Sequence, residues 1–490
     1  MNLNASHVKK SGRRKFIGNL GIVAGALLTG APGARAIRFE ANRREMQDRM
    51  SATSELNLSS IPNFCSHEHW GSIGSIGYIK DTGFRCDAVA GARPSTPTSI
   101  WDLLLDPYMG AIIQRSGLTA DSAARENGFN SMKDWWKADP SKALAVFKKL
   151  SASIGMLGTY HCTCRGIENL YGTDIRNFDL ERWISVDKEI EKRYSSLFEW
   201  HQEAMKKNNL SKLIRPVQPE FYLKEDTSES KKLELSFTDT ILRIDPLLGM
   251  WKEKSARRDS LAEFTGTDPA DAKSWRTFIT EVFDLAAQNR ATGIKQLQAY
   301  NRTLDFQPRS DGEVKFRGTL TPGEITIFQD WVVHECCKQA SDRRWPHQVH
   351  VGTNNLRESG PLPLEDLSKR YPQMNIVMLH CWPFLREAGQ LARNFPNLYI
   401  DTCWLPVLNP GFLDEALDLW LNYVPSHKIM MAHDSTSIEM AVGSSLFTRE
   451  ILAEKLARQK SVFPGGDMRS LALDLLHNNA VRMYRIGNEV

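Results

Sequence analysis

Apolar positions change their period along this chain. Between about residues 80 and 205 they recur at helical spacing, through the aromatic pair Trp135-Trp136 and the stretch Leu180 to Lys206. After residue 208, short apolar runs alternate with longer amphipathic ones. The short runs predict strands over Lys212–Val217, Thr240–Ile244, Gly293–Ala299, His347–Val351, Ile376–Cys381, Leu398–Cys403 and Lys428–Asp434. The longer runs predict helices such as Asp271–Gln288, Gly323–Ala340 and Phe384–Asn394. The segment Ile61-Pro62-Asn63-Phe64-Cys65-Ser66-His67-Glu68-His69 adds a strand, making eight. Its alternation puts Cys65, His67 and His69 on one face and turns Glu68 outward.

Strands that alternate with helices predict a parallel sheet. Eight such units predict an α/β fold, a (β/α)8 TIM-like barrel, with a long, mostly helical insertion (80–205) after the first strand. An open doubly wound sheet is the rival. It finds little support, because Gly71-x-x-Gly74-x-x-Gly77 is not followed by a helical pattern and makes a poor phosphate loop.

The first residues read differently. Arg13-Arg14 precede a short apolar stretch from Ile22 to Leu28, and Ala34-Arg35-Ala36 offers a small-x-small cleavage pattern. This order resembles a twin-arginine export signal over residues 1–36, followed by a polar linker over 37–60 and the barrel over 61–485. The apolar stretch is too short to span a bilayer. The expectation is therefore a periplasmic or otherwise exported protein that meets the twin-arginine machinery and keeps no stable membrane span once the signal is removed. A composition of 24% charged and 41% hydrophobic residues is globular, and a net charge of +4 over 490 residues does not point to nucleic acid. The eight cysteines do not form a disulfide-like framework, and Cys162-x-Cys164 has no second pair at zinc-finger spacing.

Chemistry gathers where predicted strands end. His350 closes the run that begins at Pro346, His380 closes Ile376-Val377-Met378-Leu379, and Asp434 closes Ile429-Met430-Met431-Ala432-His433. Apolar strands that stop at ionisable groups are what the active-site rim of a barrel looks like. Imidazoles and a carboxylate suit zinc and similar divalent ions, and two histidines one residue apart on a strand reach the same ion. His433 takes the opposite parity to Asp434 and turns away from the centre.

The order of these groups resembles the amidohydrolase superfamily. The segments Asn63–Trp70, Gly293–Tyr300, Gln348–Thr353, Met378–Pro383, Asn397–Trp404 and Met430–Ser435, and the ending Asn478-Asn479-Ala480-Val481-Arg482-Met483-Tyr484, are similar to the amidohydrolase-related branch that includes aminocarboxymuconate-semialdehyde decarboxylase-like enzymes. The resemblance implies that His67, His69, His350 and Asp434 surround one divalent metal, with zinc expected. It also implies that Asp434 takes a proton from a metal-activated water. His380 would serve as acid/base or hold the substrate's developing negative charge. The branch often carries Gly-Thr-Asp or Gly-Ser-Asp at strand eight, where this chain has Ala432-His433-Asp434.

Lys295, on the predicted fourth strand, has three readings: a carboxylated bridge to a second metal, as in binuclear members of the superfamily; a cation for a substrate carboxylate; or a partner for a barrel acid. Tyr300 and Arg302 follow it and are candidates for the pocket lining. Arg165, in the insertion, is a candidate to reach over the barrel mouth and hold an anion, with an ordinary ion pair as its alternative. Trp70, Trp382 and Trp404 follow strand ends as pocket walls or core. The leading expectation is a metal-dependent hydrolase of a C–N or C–O bond in a small molecule. A non-oxidative decarboxylase using the same ligands is the second, and a non-catalytic binding protein is the third. Barrels of this type often self-associate, which leaves a homo-oligomer open.

Overall fold

Eight parallel strands follow one another in chain order, each bonded to the next: β1 (Asn63–Cys65), β2 (Leu210–Val217), β3 (Thr238–Arg243), β4 (Ala291–Gln296), β5 (His347–Val351), β6 (Ile376–His380), β7 (Leu398–Asp401) and β8 (Ile429–Met430). The computed structural model describes residues 56–70, 78–79, 84–85, 97–115, 120–223, 229–353 and 355–486. The expected export signal, most of the linker, Cys86 and the Gly71–Gly77 motif lie outside the described residues. The chain divides into Met1–Asn57 and Leu58–Val490, and the barrel belongs entirely to the second unit. The fold is the α/β barrel expected from the alternation of strands and helices.

Burial explains why these strands read as continuous apolar runs. Every residue of β3, β5 and β6 is buried, as strands are when helices cover one face of a parallel sheet and a packed barrel interior covers the other. The covering helices start at clear stop signals. Thr321 and Glu324 form a reciprocal capping box around Pro322 at the head of the helix Pro322–Asp342. Asp271 caps Ala272–Gln288 in the same way. Among the described residues, no helix is long and apolar enough to cross a membrane.

The expected first and last strands are longer than the observed ones. β1 ends at Cys65 and β8 at Met430. Beyond those points the chain still runs alongside its neighbours but leaves the regular ladder. The Asp434 N–H donates to the His67 carbonyl at 3.0 Å, and the His69 N–H donates to the Ser435 carbonyl at 3.1 Å. Among the described residues no ladder joins β1 to β8, so these two bonds close the seam. Asp434 takes a left-handed backbone there, with φ of 58°. The early end of β1 also changes the expected facing of Cys65. Its thiol points into the seam, donating to Glu68 Oε1 at 2.9 Å, and does not join the two histidines. Glu68, expected to face outward, is buried and accepts the Ser435 N–H at 2.7 Å.

The connection between β1 and β2 carries the helical insertion, described from Ile100–Leu104 to Leu197–Lys207. Trp101, Trp136, Phe147 and Trp183 form an aromatic core within it, with the rings of Trp101 and Phe147 5.0 Å apart, edge to face. Asp187 ties this core together by accepting from Trp136 Nε1 at 2.8 Å and Ser99 Oγ at 2.6 Å. The seven cysteines among the described residues are free of disulfides and all buried, in line with thiols used as small core side chains.

The insertion is fastened to the barrel by two glycines. The helix Gly158–Tyr171 lies against Ile438–Val462, the helix that follows Asp434. A Cβ on Gly166 would sit 1.7 Å from the Glu439 carbonyl oxygen, and one on Gly443 would sit 1.8 Å from that of Cys162. The two backbones touch where only hydrogen fits. Gly443→Ala gains about 1 kcal/mol of helix propensity, but the clash is with backbone and costs about 3 kcal/mol. We therefore expect a net loss of stability, read as a lower midpoint of thermal unfolding. A variant as stable as the parent would contradict this close approach.

Candidate active site

The seam places the first ligands. His67 and His69 leave the end of β1, Asp434 leaves the end of β8, and the two seam bonds hold the segments side by side. His69 Nε2 lies 3.2 Å and His67 Nε2 3.8 Å from Asp434 Oδ1. The three residues each offer a ligand atom, all within 4.8 Å of one another. Although burial alone would raise it, the Asp434 carboxyl is held well below the usual carboxylate range by His67, His69 and His380.

The tautomer of His67 follows from its neighbour. Gln348, from β5, gives both amide hydrogens away, to the Ser66 carbonyl and to the Tyr484 hydroxyl, each at 2.7 Å. Its Oε1 therefore faces His67 Nδ1 at 2.8 Å and accepts the proton there. His67 Nε2 is left as the lone-pair nitrogen, buried and without a hydrogen-bond partner. Burial and the nearby Lys295 push this imidazole well below its usual pKa, so it is neutral. A neutral imidazole with one nitrogen anchored and the other aimed at a carboxylate is the arrangement of a metal ligand. The residues present thus fit a divalent ion.

By contrast, Cys65, Glu68 and His433 also lie within ligand distance of one another, but each is already engaged. His433 Nε2 meets Asn63 Oδ1 at 2.7 Å and its Nδ1 meets Ser444 Oγ at 2.9 Å. That group belongs to the seam.

His380 stands on the other side of Asp434, with Nε2 3.6 Å from Oδ2. Its Nδ1 is 3.0 Å from the Cys403 carbonyl, which only accepts, so Nδ1 carries the proton and Nε2 is an acceptor. Burial brings its pKa down to about 4. His350 Nδ1 meets His380 Nε2 at 2.9 Å, and His350 Nε2 meets Thr353 Oγ1 at 2.9 Å. His350 thus lines the same cavity beside His380 and is not among the three residues, His67, His69 and Asp434, whose ligand atoms cluster.

These groups open into a cavity of about 480 Å³. Trp404 forms one wall, its ring 5.2 Å from that of His380, and Tyr300 stacks against His350 at 4.4 Å. Tyr108, from the insertion helix Pro107–Arg115, donates to Asp434 Oδ1 at 2.8 Å. Lys295 lies at the cavity floor, buried, with no hydrogen-bond partner for Nζ. Loss of hydration brings its pKa down to about 8. The barrel acid that one reading paired with Lys295 is not bonded to it. Arg243, at the end of β3, shares this floor.

Arg165 does not reach this cavity. It pairs with Glu450 and lies over the Phe447 ring, 4.6 Å from its centre, both on the helix Ile438–Val462, so the ion-pair alternative describes it. Arg302 is bound by Asp330 at 2.6 Å, Trp70 packs in the core against His201, and Trp382 stacks on Phe412. Sequence reasoning missed Tyr108, Arg243 and Gln348. Arg243 carried the signal that marked His380, an apolar strand stopping at an ionisable group, but the expected strand ran one residue past it to Ile244.

An amidohydrolase family model matches residues 329–486, the stretch that carries His350, His380 and Asp434. Over that segment the chain is similar to amidohydrolases. Protein fluG of Emericella nidulans is 24% identical over 361 residues, which are 68% of this chain and 41% of that protein, so the chain spans about two fifths of its length. Glucuronate isomerase from Caulobacter crescentus superposes with a TM-score of 0.67 at 16% identity, over 91% of this chain and 95% of that one. Uronate isomerase from Thermotoga maritima gives 0.65 at 14%, over 89% and 97%. A Lactobacillus casei protein inferred to be a metal-dependent hydrolase gives 0.55 at 16%, over 87% and 96%. At these identities the likeness to solved structures is one of fold alone, the barrel of eight parallel strands.

Two outcomes test the ligand geometry. Purified protein should carry about one divalent ion per chain, and Asp434→Asn should lose it on desalting, as read by elemental analysis. Gln348→Leu frees His67 to rotate and should weaken metal affinity about 10–100-fold, measured by competition with a chromogenic chelator; unchanged affinity would remove Gln348 from the metal site.

Proposed function

We propose that this chain is an exported, metal-dependent hydrolase that cleaves a C–N or C–O bond of a small molecule. The observation that carries the reading is the shared carboxylate of Asp434. Its Oδ1 faces His67, His69 and Tyr108, while its Oδ2 faces His380. A divalent ion, taken here as zinc, bound by His67, His69 and Asp434 would supply Lewis acidity and make water a nucleophile at neutral pH.

The chain's own groups do the rest. Tyr108 O–H fixes the rotation of the carboxylate, so that Oδ2 is the oxygen open to the cavity side of His380. As water attacks the scissile carbonyl carbon, its proton passes to Oδ2. His380 Nε2, neutral and 3.6 Å away, gives up its bond from His350 Nδ1–H to take that proton and passes it to the leaving nitrogen or oxygen as the bond breaks. The proton on Nδ1 stays with the Cys403 carbonyl, so the imidazole keeps its orientation throughout. Trp404 and Tyr108 wall this side of the cavity and limit water to the reacting molecule.

The reading is tested with a panel of amides, esters and lactones, together with uronates and aromatic carboxylates. Hydrolysis that stops when the metal is chelated and returns with zinc supports it. Uronate isomerisation or carbon dioxide release without hydrolysis would overturn it in favour of an isomerase or a decarboxylase. His380→Ala should keep its metal while kcat falls about 100-fold or more; unchanged kcat would remove His380 from the proton path. Export rests on Arg13-Arg14 and the short apolar stretch that follows. Replacing both arginines by lysine should hold the precursor in the cytoplasm in cell fractionation, and continued export would defeat the assignment.

A further inference from the structure

Two buried cations stand side by side in the cavity. In the register between β3 and β4, Arg243 is the direct partner of Lys295, so both side chains leave adjacent strands at one level. Each residue is 1% exposed and each lines the cavity that holds the metal ligands. Like charges directly opposite one another on neighbouring strands repel, and burial strengthens the repulsion.

Their local partners do not relieve it. Asp245 takes Arg243 Nε at 3.2 Å through Oδ2, and its Oδ1 is occupied by the Leu297 N–H. This fixes one edge of the guanidinium and leaves Arg243 Nη2 buried without a hydrogen-bond partner. Lys295 Nζ is buried without one as well. Two cationic donors taken out of water and left unbonded are costly unless a ligand completes them. Of the two cations Asp245 bonds Arg243 alone, which leaves Arg243 Nη2 and Lys295 Nζ as two open donors.

We propose that Arg243 and Lys295 form a carboxylate subsite, and that the substrate is a small acid whose carboxylate lies on this pair while its scissile bond faces His67, His69 and Asp434. Two open donors match the two oxygens of a carboxylate, where a phosphate monoester presents three and carries closer to two charges. A planar guanidinium edge beside a point-charge ammonium suits the two oxygens of a carboxylate. Lys295 lies near His67, His380 and Asp434, so the subsite adjoins the groups assigned to bond cleavage and selects and orients the substrate beside them. The proposal rests on the hydrolase reading for the position of the scissile bond, but not for the anion preference itself.

The test uses titration calorimetry on the full, metal-loaded chain with mandelate, its neutral amide mandelamide, and phenyl phosphate. Mandelate should bind about tenfold or more tightly than mandelamide, the worth of a charge-assisted pair. Arg243→Gln and Lys295→Met should each reduce that preference to about threefold or less, with metal content unchanged. Circular dichroism separates loss of the subsite from loss of the fold, and the comparison of probes on the unmutated protein decides the matter without any variant. Equal affinity for mandelate and mandelamide would overturn the proposal. So would tighter binding of phenyl phosphate, or a preference that survives both substitutions and therefore belongs to the metal. Protein that takes up no metal yet keeps the preference would remove the hydrolase reading and leave the subsite standing.

Discussion

The closing seam between β1 and β8 is the constraint on which the site depends. A barrel of parallel strands has to join its first strand to its last, and here the join falls where both segments have left regular strand geometry. The bonds from Asp434 N–H to the His67 carbonyl and from His69 N–H to the Ser435 carbonyl perform two tasks at once. They satisfy backbone groups that would otherwise be buried and unpaired, and they fix the distance between two histidines and the carboxylate they share. The polar cluster beneath, with Cys65 on Glu68, Glu68 on the Ser435 N–H and His433 on Asn63, packs the seam with groups that bond each other. The left-handed backbone at Asp434 is the local cost of this join.

Orientation is transmitted inward from that seam through acceptor-only groups. Ser66 and Cys403 each present a backbone carbonyl to the network, the first to Gln348 and the second to His380. A carbonyl cannot donate, so each one forces the proton position on the imidazole it controls. The outcome is opposite in use. His67 ends with a bare nitrogen aimed at the metal position, and His380 ends with an acceptor nitrogen beside Asp434 Oδ2. Burial keeps both rings neutral, which a ligand and a proton relay each require.

Much of this was legible in the sequence because strand chemistry is local. The run Ile376–His380 announces a buried strand by composition and its functional end by one abrupt polar residue, and it was read to within a residue, as was His347–Val351. Where the chain leaves the ladder the same logic fails. Alternation predicts that Cys65 faces with His67 and His69, but alternation holds only while the strand continues, and β1 stops at Cys65. Arg165 was misplaced for a related reason: helical periodicity says which residues share a face of Gly158–Tyr171, not which face meets the barrel. Tyr108 could not be found at all, since its approach to Asp434 depends on how the insertion packs as a whole.

That packing links the insertion to the chemistry by a short mechanical route. Gly166 and Gly443 bring the helix Gly158–Tyr171 against the helix Ile438–Val462, and the latter begins four residues after Asp434. The insertion also supplies Tyr108 to the Asp434 carboxylate. Asp434 is therefore held from behind by the helix that supports the insertion and from in front by a side chain of the insertion itself. A shift of the insertion relative to the barrel would have to stretch the Tyr108 bond or open the glycine contact, and the second is a backbone contact with no side chain to absorb the movement. The insertion is thus a fixed wall of the cavity on the Asp434 side, and Arg243 and Lys295 line the same cavity. The distance a substrate must bridge between its carboxylate and its scissile bond is set by the frame that closes the barrel.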